Sequence, residues 1–191
     1  MKNLEKIALL IDADNTQLSK LETVIQELSA YGRIVVKRAY GNWRKEALKN
    51  WEDELKRLAI KAEQQFDYVS GKNATDMALV IDTLDLLHKE IYDAFVIVAS
   101  DSDYTPLAIR LHESGVYVMG VGEKKTPSAF RNACDEFLFL ENMSKSSEIS
   151  SSRSESKTNG RKETAGSDPE EQSNTDELRD IHKLLKIRSE E

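Results

Sequence analysis

The chain has 191 residues, 39% hydrophobic and 32% charged, with a formal net charge of −7 at pH 7, a size that suits one packed domain with additional segments. The acidity argues against a protein that coats duplex DNA, and the single Cys134 excludes both an intramolecular disulfide and a cysteine-built zinc site. No apolar run approaches the ~18 residues of a membrane span and no basic leader precedes an apolar stretch, so a soluble cytoplasmic protein, with no membrane partner, is expected.

In chain order, Ile7–Ile11 (IALLI) reads as a buried strand and runs into Asp12-Ala13-Asp14-Asn15. Leu18, Leu21, Val24, Ile25 and Leu28 then recur at helical spacing, and Gly32 follows as a stop. Arg33–Tyr40 is a second strand, rich in β-branched residues, and Lys45–Gln65 reads as one helix. Phe66–Val69 is a short third strand. Asn73–Lys89 is a long helix with Met77, Val80, Ile81, Leu84 and Leu87 on its apolar face. Phe95–Ala99 is a fourth strand and runs into Ser100-Asp101-Ser102-Asp103. Thr105–Glu113 is a helix with Pro106 in its first turn, where a missing N–H is tolerated. Val116–Val121 is a fifth strand, Ser128–Ala133 a helical turn and Glu136–Leu140 a last edge strand. Strands alternating with helices imply right-handed βαβ units and a parallel sheet covered on both faces.

The composition changes after residue 142. Residues 143–175 are rich in Ser, Lys, Glu, Asn and Gly and are expected to be a disordered linker. Residues 176–191 regain helical periodicity through Leu178, Ile181 and Leu185. A lone amphipathic helix cannot bury its own face, so this segment is a docking helix or the opening of a further domain. Residues 1–141 hold 18 Lys+Arg against 23 Asp+Glu, and the remainder 9 against 11, so the acidity belongs to the expected globular part.

Two buried strands thus end in Asp-x-Asp, and ligands of open α/β sheets sit beyond the carboxyl ends of the strands where the strand order reverses. A carboxylate at the inner end of a buried strand is costly unless donors or a cation satisfy it. Asp12 and Asp101 are therefore the first candidate ligands. The plainer reading of each is a helix cap, and it weighs most for Asp14 and for Asp103, which precedes Tyr104-Thr105-Pro106. Asp76 opens the long helix, where the helix dipole also favours an anion, and it shares the sheet rim with the two strand ends. Asp82, about 120° round the helix from Asp76, is expected on the surface or behind the ligands. Asp14, Asn15 and Ser100 are candidate orienting groups. Converging carboxylates suit a hard cation such as Mg²⁺, and two such ions could activate a water for phosphodiester cleavage. His88, His112 and His182 have no ligand spacing and read as exposed helix residues. Arg38, Trp43, Arg44, Lys72 and Lys124 are candidate nucleic-acid contacts around the same rim, with stacking on Trp43 weighed against its packing as core.

The set IDADN (11–15), KNATD (72–76), ASDSDY (99–104) and CDEFLFL (134–140) resembles the NYN domain of the PIN-like nuclease superfamily, in its LabA-like bacterial branch, over roughly residues 4–141. The resemblance implies a three-layer α/β/α Rossmann-like PIN-type fold with a parallel sheet of order 3-2-1-4-5, one further strand being allowed. It implies Mg²⁺- or Mn²⁺-dependent cleavage of RNA, expected to be single-stranded, with Asp12, Asp76, Asp101 and Asp103 matching the metal-binding acids. Asn15 and Ser100 match polar positions of the motif, and Thr126 and Ser128 fall in a further polar loop; a homodimer stays open. Residues 176–188 resemble the first helix of an OST-HTH (LOTUS) module.

Other readings compete. DADNT fits the Asp-x-Asp-x-Thr opening of haloacid-dehalogenase phosphatases, with Asp12 as nucleophile, but Ser100 and the acids share one strand end where that pattern separates them. A receiver domain needs an Asp after the third expected strand, where this chain has Ser70. An RNA-binding adaptor that keeps the fold without turnover is the non-enzyme alternative.

Overall fold

A computed structural model describes residues 4–69 and 73–143. Met143, expected to open the linker, is instead buried in the core; the rest of the expected linker and the helical segment at 176–191, like Lys72, lie outside the described residues. Strands β1 (Leu4–Asp12), β2 (Gly32–Gly41), β3 (Lys61–Gln64), β4 (Ala94–Val98), β5 (Tyr117–Gly122) and β6 (Glu136–Phe139) form one sheet in the order β3-β2-β1-β4-β5-β6. Every pairing is parallel. Helices α1 (Leu21–Ser29), α2 (Trp51–Arg57), α3 (Ala74–Leu87), α4 (Thr105–Glu113) and α5 (Ser128–Ala133) connect the strands. The order reverses between β1 and β4, and Ile11 pairs with Val98 at that point. The expected α/β class and the 3-2-1-4-5 order therefore hold, with β6 added at the edge.

The period-2 alternation of strands divides the core into two layers. Ile7, Leu9 and Ile11 of β1 and Val96 and Val98 of β4 pack with Leu21, Val24 and Leu28 of α1 and with Trp51 and Leu55 of α2. Ala8 and Leu10 of β1 and Phe95 and Ile97 of β4 pack on the opposite face with Leu79 and Leu86 of α3 and Leu107 and Leu111 of α4. Strict alternation puts Asp12 on this second face, under α3 and α4, at the end of a strand whose previous five residues are fully buried.

Three expected elements differ from those observed. The helix expected over 45–65 is instead a 3-10 turn at Glu46–Leu48 followed by α2, which ends before Ala59 turns into the left-handed region at φ 51°. That turn ends the helix at Arg57, eight residues before the expected end at Gln65. As a result the third strand is Lys61–Gln64, not 66–69, and Phe66 and Tyr68 are exposed in the loop beyond it.

The third difference is the face of α3. Its fully or nearly buried residues are Thr75, Leu79, Thr83 and Leu86, while Met77 and Ile81 are more than half exposed. Two threonines stand in the stripe that hydropathy assigned to larger apolar residues. Thr83 Oγ1 donates to the Leu79 carbonyl at 2.7 Å, so its hydroxyl needs no water. The helix is thereby rotated so that Asp76, next to the buried Thr75, faces the sheet rim instead of solvent.

Candidate active site

Asp12 is fully buried. Its carboxylate accepts from the Asn15 backbone N–H at 3.3 Å and from Asn15 Nδ2 at 2.8 Å. The Tyr104 hydroxyl lies 3.1 Å from Asp12 Oδ2 and 2.8 Å from Asp76 Oδ1. Burial, with help from the nearby Asp76 and Asp14, pushes the Asp12 carboxyl up to about 6, although Asn15 and Tyr104 pull it down. Asp76 is also raised, first by burial and then by repulsion from Asp101, Asp103 and Asp14, against the lowering bond from Tyr104. Burial leads in both shifts, and the added repulsion is the electrostatic mark of carboxylates lying near one another.

Tyr104 has one hydroxyl proton for two carboxylates. Its own ionisation is driven strongly upward, by burial and then by the charges of Asp12 and Asp76, so it remains a donor throughout the ordinary pH range. When Asp12 holds a proton, that acid can donate to the phenol oxygen while the phenol donates to Asp76. Tyr104 was not among the residues singled out from the sequence. A buried tyrosine generally needs a hydrogen-bond partner, and its place directly after Ser102-Asp103 is the signal that could have pointed to it.

The remaining candidates fall into three groups. Asp101 accepts from the Asp103 backbone N–H at 3.0 Å and so caps the 3-10 turn Ser102–Tyr104, while Asp103 accepts from Asn73 Nδ2 at 2.8 Å. Asp103 therefore links the β4 exit to the start of α3, and the capping role falls to Asp101. Asp14 accepts from Lys45 Nζ at 3.1 Å and from Thr75 Oγ1 at 3.0 Å, so it too is tied to α3. Ser100 Oγ accepts from the Glu123 backbone N–H at 3.1 Å, joining the ends of β4 and β5. Asn15, Ser100, Asp101, Ser102, Lys125 and Pro127 line a polar cleft of about 250 Å³. Thr126 is buried with its hydroxyl unpartnered, and Ser128 is exposed at the start of α5.

The cationic and aromatic candidates are spread more widely. Arg38 forms an ion pair with Asp82, and Tyr40 donates to the same carboxylate. Arg38 and Tyr40 share a strand face two residues apart, and Asp82 lies on the α3 face that meets them. Asp82 is thus neither a surface charge nor a partner of the acidic cluster. Trp43 is partly buried against Trp51, with ring centroids 6.0 Å apart, and Arg44 lies 5.1 Å over the exposed Phe66 ring. Lys124 is exposed, and its backbone N–H donates to Glu141 at 2.9 Å.

The donor set is hard oxygen, as Mg²⁺ and Mn²⁺ prefer. Among the described residues, however, no three His, Cys, Asp or Glu side chains are grouped closely enough to hold a metal ion. Asp12 and Asp76 are bridged by the Tyr104 hydroxyl. Mg²⁺ is commonly held by only one or two carboxylates, with waters and substrate phosphates completing its shell. The residues therefore fit such an ion, though not as a closed cage.

A parallel Rossmann-like sheet with carboxylates gathered at its switch point defines an α/β domain built to act at its carboxyl edge. Residues 6–141 match the NYN domain. The chain belongs to the NYN domain family, whose members have the PIN-like nuclease fold, and a nuclease-type function follows at the level of the family. Divalent metals are typical of the family. A crystal structure of a protein of unknown function from Vibrio parahaemolyticus superposes with a TM-score of 0.60 at 17% identity, covering 75% of this chain and 97% of that one, and supports the fold. No curated protein matches the sequence. No helix among the described residues is long and apolar enough to cross a membrane.

Proposed function

We propose that the domain is a metal-dependent ribonuclease that hydrolyses phosphodiester bonds of single-stranded RNA. The observation that carries this reading is the Tyr104 hydroxyl bridging buried Asp12 and half-buried Asp76 at the switch point, where burial and neighbouring acids raise both carboxyls. Asp12, Asp76, Asp101 and Asp103 would hold Mg²⁺ or Mn²⁺, which when bound supplies an activated water and charge for the leaving oxygen. Asn15 and Tyr104 orient Asp12, Thr75 and Lys45 hold Asp14, and Ser100 fixes the β4 exit against β5. Arg44, Lys72 and Lys124 are assigned to the RNA backbone, and Trp43 to a base. Arg38 is engaged by Asp82, so its part is to hold β2 against α3.

The adaptor reading has one observation in its favour: Asp12 and Asp76 are both engaged by Tyr104, and no three acids are grouped closely enough for a metal among the described residues. Purified protein incubated with labelled single-stranded RNA separates the two. Cleavage with Mn²⁺, its loss in EDTA, and its loss in Asp12→Asn and Asp101→Asn are the expected results. Cleavage that persists in EDTA or in both variants removes the mechanism. RNA binding without any cleavage would establish the adaptor, and a trapped phosphoaspartate at Asp12 would establish the phosphatase.

A further inference from the structure

The break between the 3-10 turn and α2, with the left-handed turn at Ala59, leaves a cleft of about 460 Å³ between these helices and the edge strand β3. Its walls are Trp43 and the buried Leu48, Leu55 and Ile60, with the exposed Ala62 also lining it. The Trp51 ring backs Trp43, which fixes that wall. Arg44, Lys45, Lys49 and Lys56 line the same cleft; Lys45 is paired with Asp14 and Asp67, Lys49 with Glu46 and Lys56 with Glu52, and Arg44, over the Phe66 ring, is the lining cation that no acid engages among the described residues. This is an apolar-walled site with one lining guanidinium free of acid partners, on a chain whose net charge is −7.

We infer that this cleft is a base-binding subsite, which takes one unstacked nucleobase of a single-stranded RNA while Arg44 and Lys49 meet the flanking phosphates. The inference rests on the ribonuclease reading for its choice of ligand. Its volume falls within the roughly 300–1,000 Å³ of ordinary small-ligand sites. Single-stranded RNA is read by splaying bases onto aromatic and apolar walls, with cations tracking the backbone. An apolar protein segment would satisfy the walls but would leave the Arg44 guanidinium without an anion, which a backbone phosphate supplies. The cleft also adjoins the acidic cluster: Lys45 lines it and donates to Asp14 at 3.1 Å, and Asp14 accepts from Thr75 beside Asp76. A base held there places a neighbouring phosphodiester toward the carboxylates, so the cleft would set which nucleotide lies next to the cut.

The exposed Ala62 allows a test that leaves the core intact, because Ala62→Trp fills the cleft from its open side. Binding is measured by fluorescence anisotropy in EDTA, with a short oligoribonucleotide and an abasic strand of the same length and charge. The wild type is expected to prefer the base-bearing strand by about tenfold or more, as stacking of one base allows. Ala62→Trp is expected to erase that preference, and Lys49→Ala to weaken both strands. Circular dichroism confirms that each variant is folded. A wild type with no preference, or a folded Ala62→Trp that retains the preference in full, overturns the subsite. Cleavage in Mn²⁺ is scored separately. Preference without cleavage leaves the subsite standing and removes the nuclease, whereas cleavage without preference does the reverse.

Discussion

The Tyr104 hydroxyl meets Asp12 at 3.1 Å across 92 residues of sequence, and that bond joins the end of β1 to the turn that follows β4. The same oxygen lies 2.8 Å from Asp76, so one phenol ties three segments of the rim together. Because a donor favours the ionised carboxylate, Tyr104 lowers the energy of carrying charge in an otherwise buried site.

Tyr104→Phe removes this donor and keeps the ring in its packing against Phe130. The expected loss of stability is ~1–3 kcal/mol at pH 8, where Asp12 is ionised and loses one of its partners. The loss should shrink at pH 5, below the value of about 6 to which Asp12 is raised. Urea unfolding at the two pH values measures the difference; an equal loss at both would mean that the hydroxyl does not serve Asp12.

Asp12→Asn tests the burial of the carboxylate itself. The folded-state value of about 6 exceeds the ordinary aspartate value of 3.8, so protonated Asp12 contributes stability below pH 4, and that contribution is lost as pH rises through 6. The variant cannot ionise. Its stability relative to wild type should therefore rise by ~2–3 kcal/mol between pH 4 and pH 8 in EDTA. Mn²⁺ should raise the wild-type melting temperature, by an amount equivalent to ~2.7 kcal/mol at a hundredfold excess over its dissociation constant, and leave Asp12→Asn nearly unmoved. Thermal melts with and without the ion read both effects.

Asp82→Ala leaves the Arg38 guanidinium and the Tyr40 hydroxyl without their common acceptor. Both lie in the packed layer between β2 and α3. The expected cost is ~2–4 kcal/mol, most of it from the groups left unpaired. Cleavage per folded molecule should persist, because Asp82 touches none of the clustered acids. Denaturant melts combined with the RNA assay separate stability from chemistry; a folded variant without activity would place Asp82 in the site.

Gly122→Ala probes the junction of β4 and β5. A Cβ there would come within 2.5 Å of the Ala99 carbonyl oxygen and 2.8 Å of Thr126 Oγ1. The backbone contact cannot be relieved by a rotamer change, so a loss of ~1–3 kcal/mol is expected. Ala99 directly precedes Ser100 and Asp101, and cleavage should fall as well. Melting curves that match wild type would show that the strand ends can separate freely.

The sequence by itself determined the alternating β and α elements, the buried character of β1 and β4, and the acids at their ends. These are local: continuous apolar runs and the residue that ends each run need no knowledge of distant neighbours. It also carried the family, through four motifs in order, and with the family the adjacency of β1 and β4. The face of α3 was hidden, because Thr75 and Thr83 count as polar until Thr83 is seen bonding its own helix and the sheet is seen beneath them. The ending of α2 was hidden as well, since periodicity continues past a left-handed Ala59 that no glycine announces. The tertiary structure alone decided that Arg38 belongs to Asp82, that Trp43 walls a cleft, and that Tyr104 stands between Asp12 and Asp76. Each is a pairing between residues at least eight and up to 92 positions apart, and only the packing of helices onto a twisted sheet determines which side chains meet.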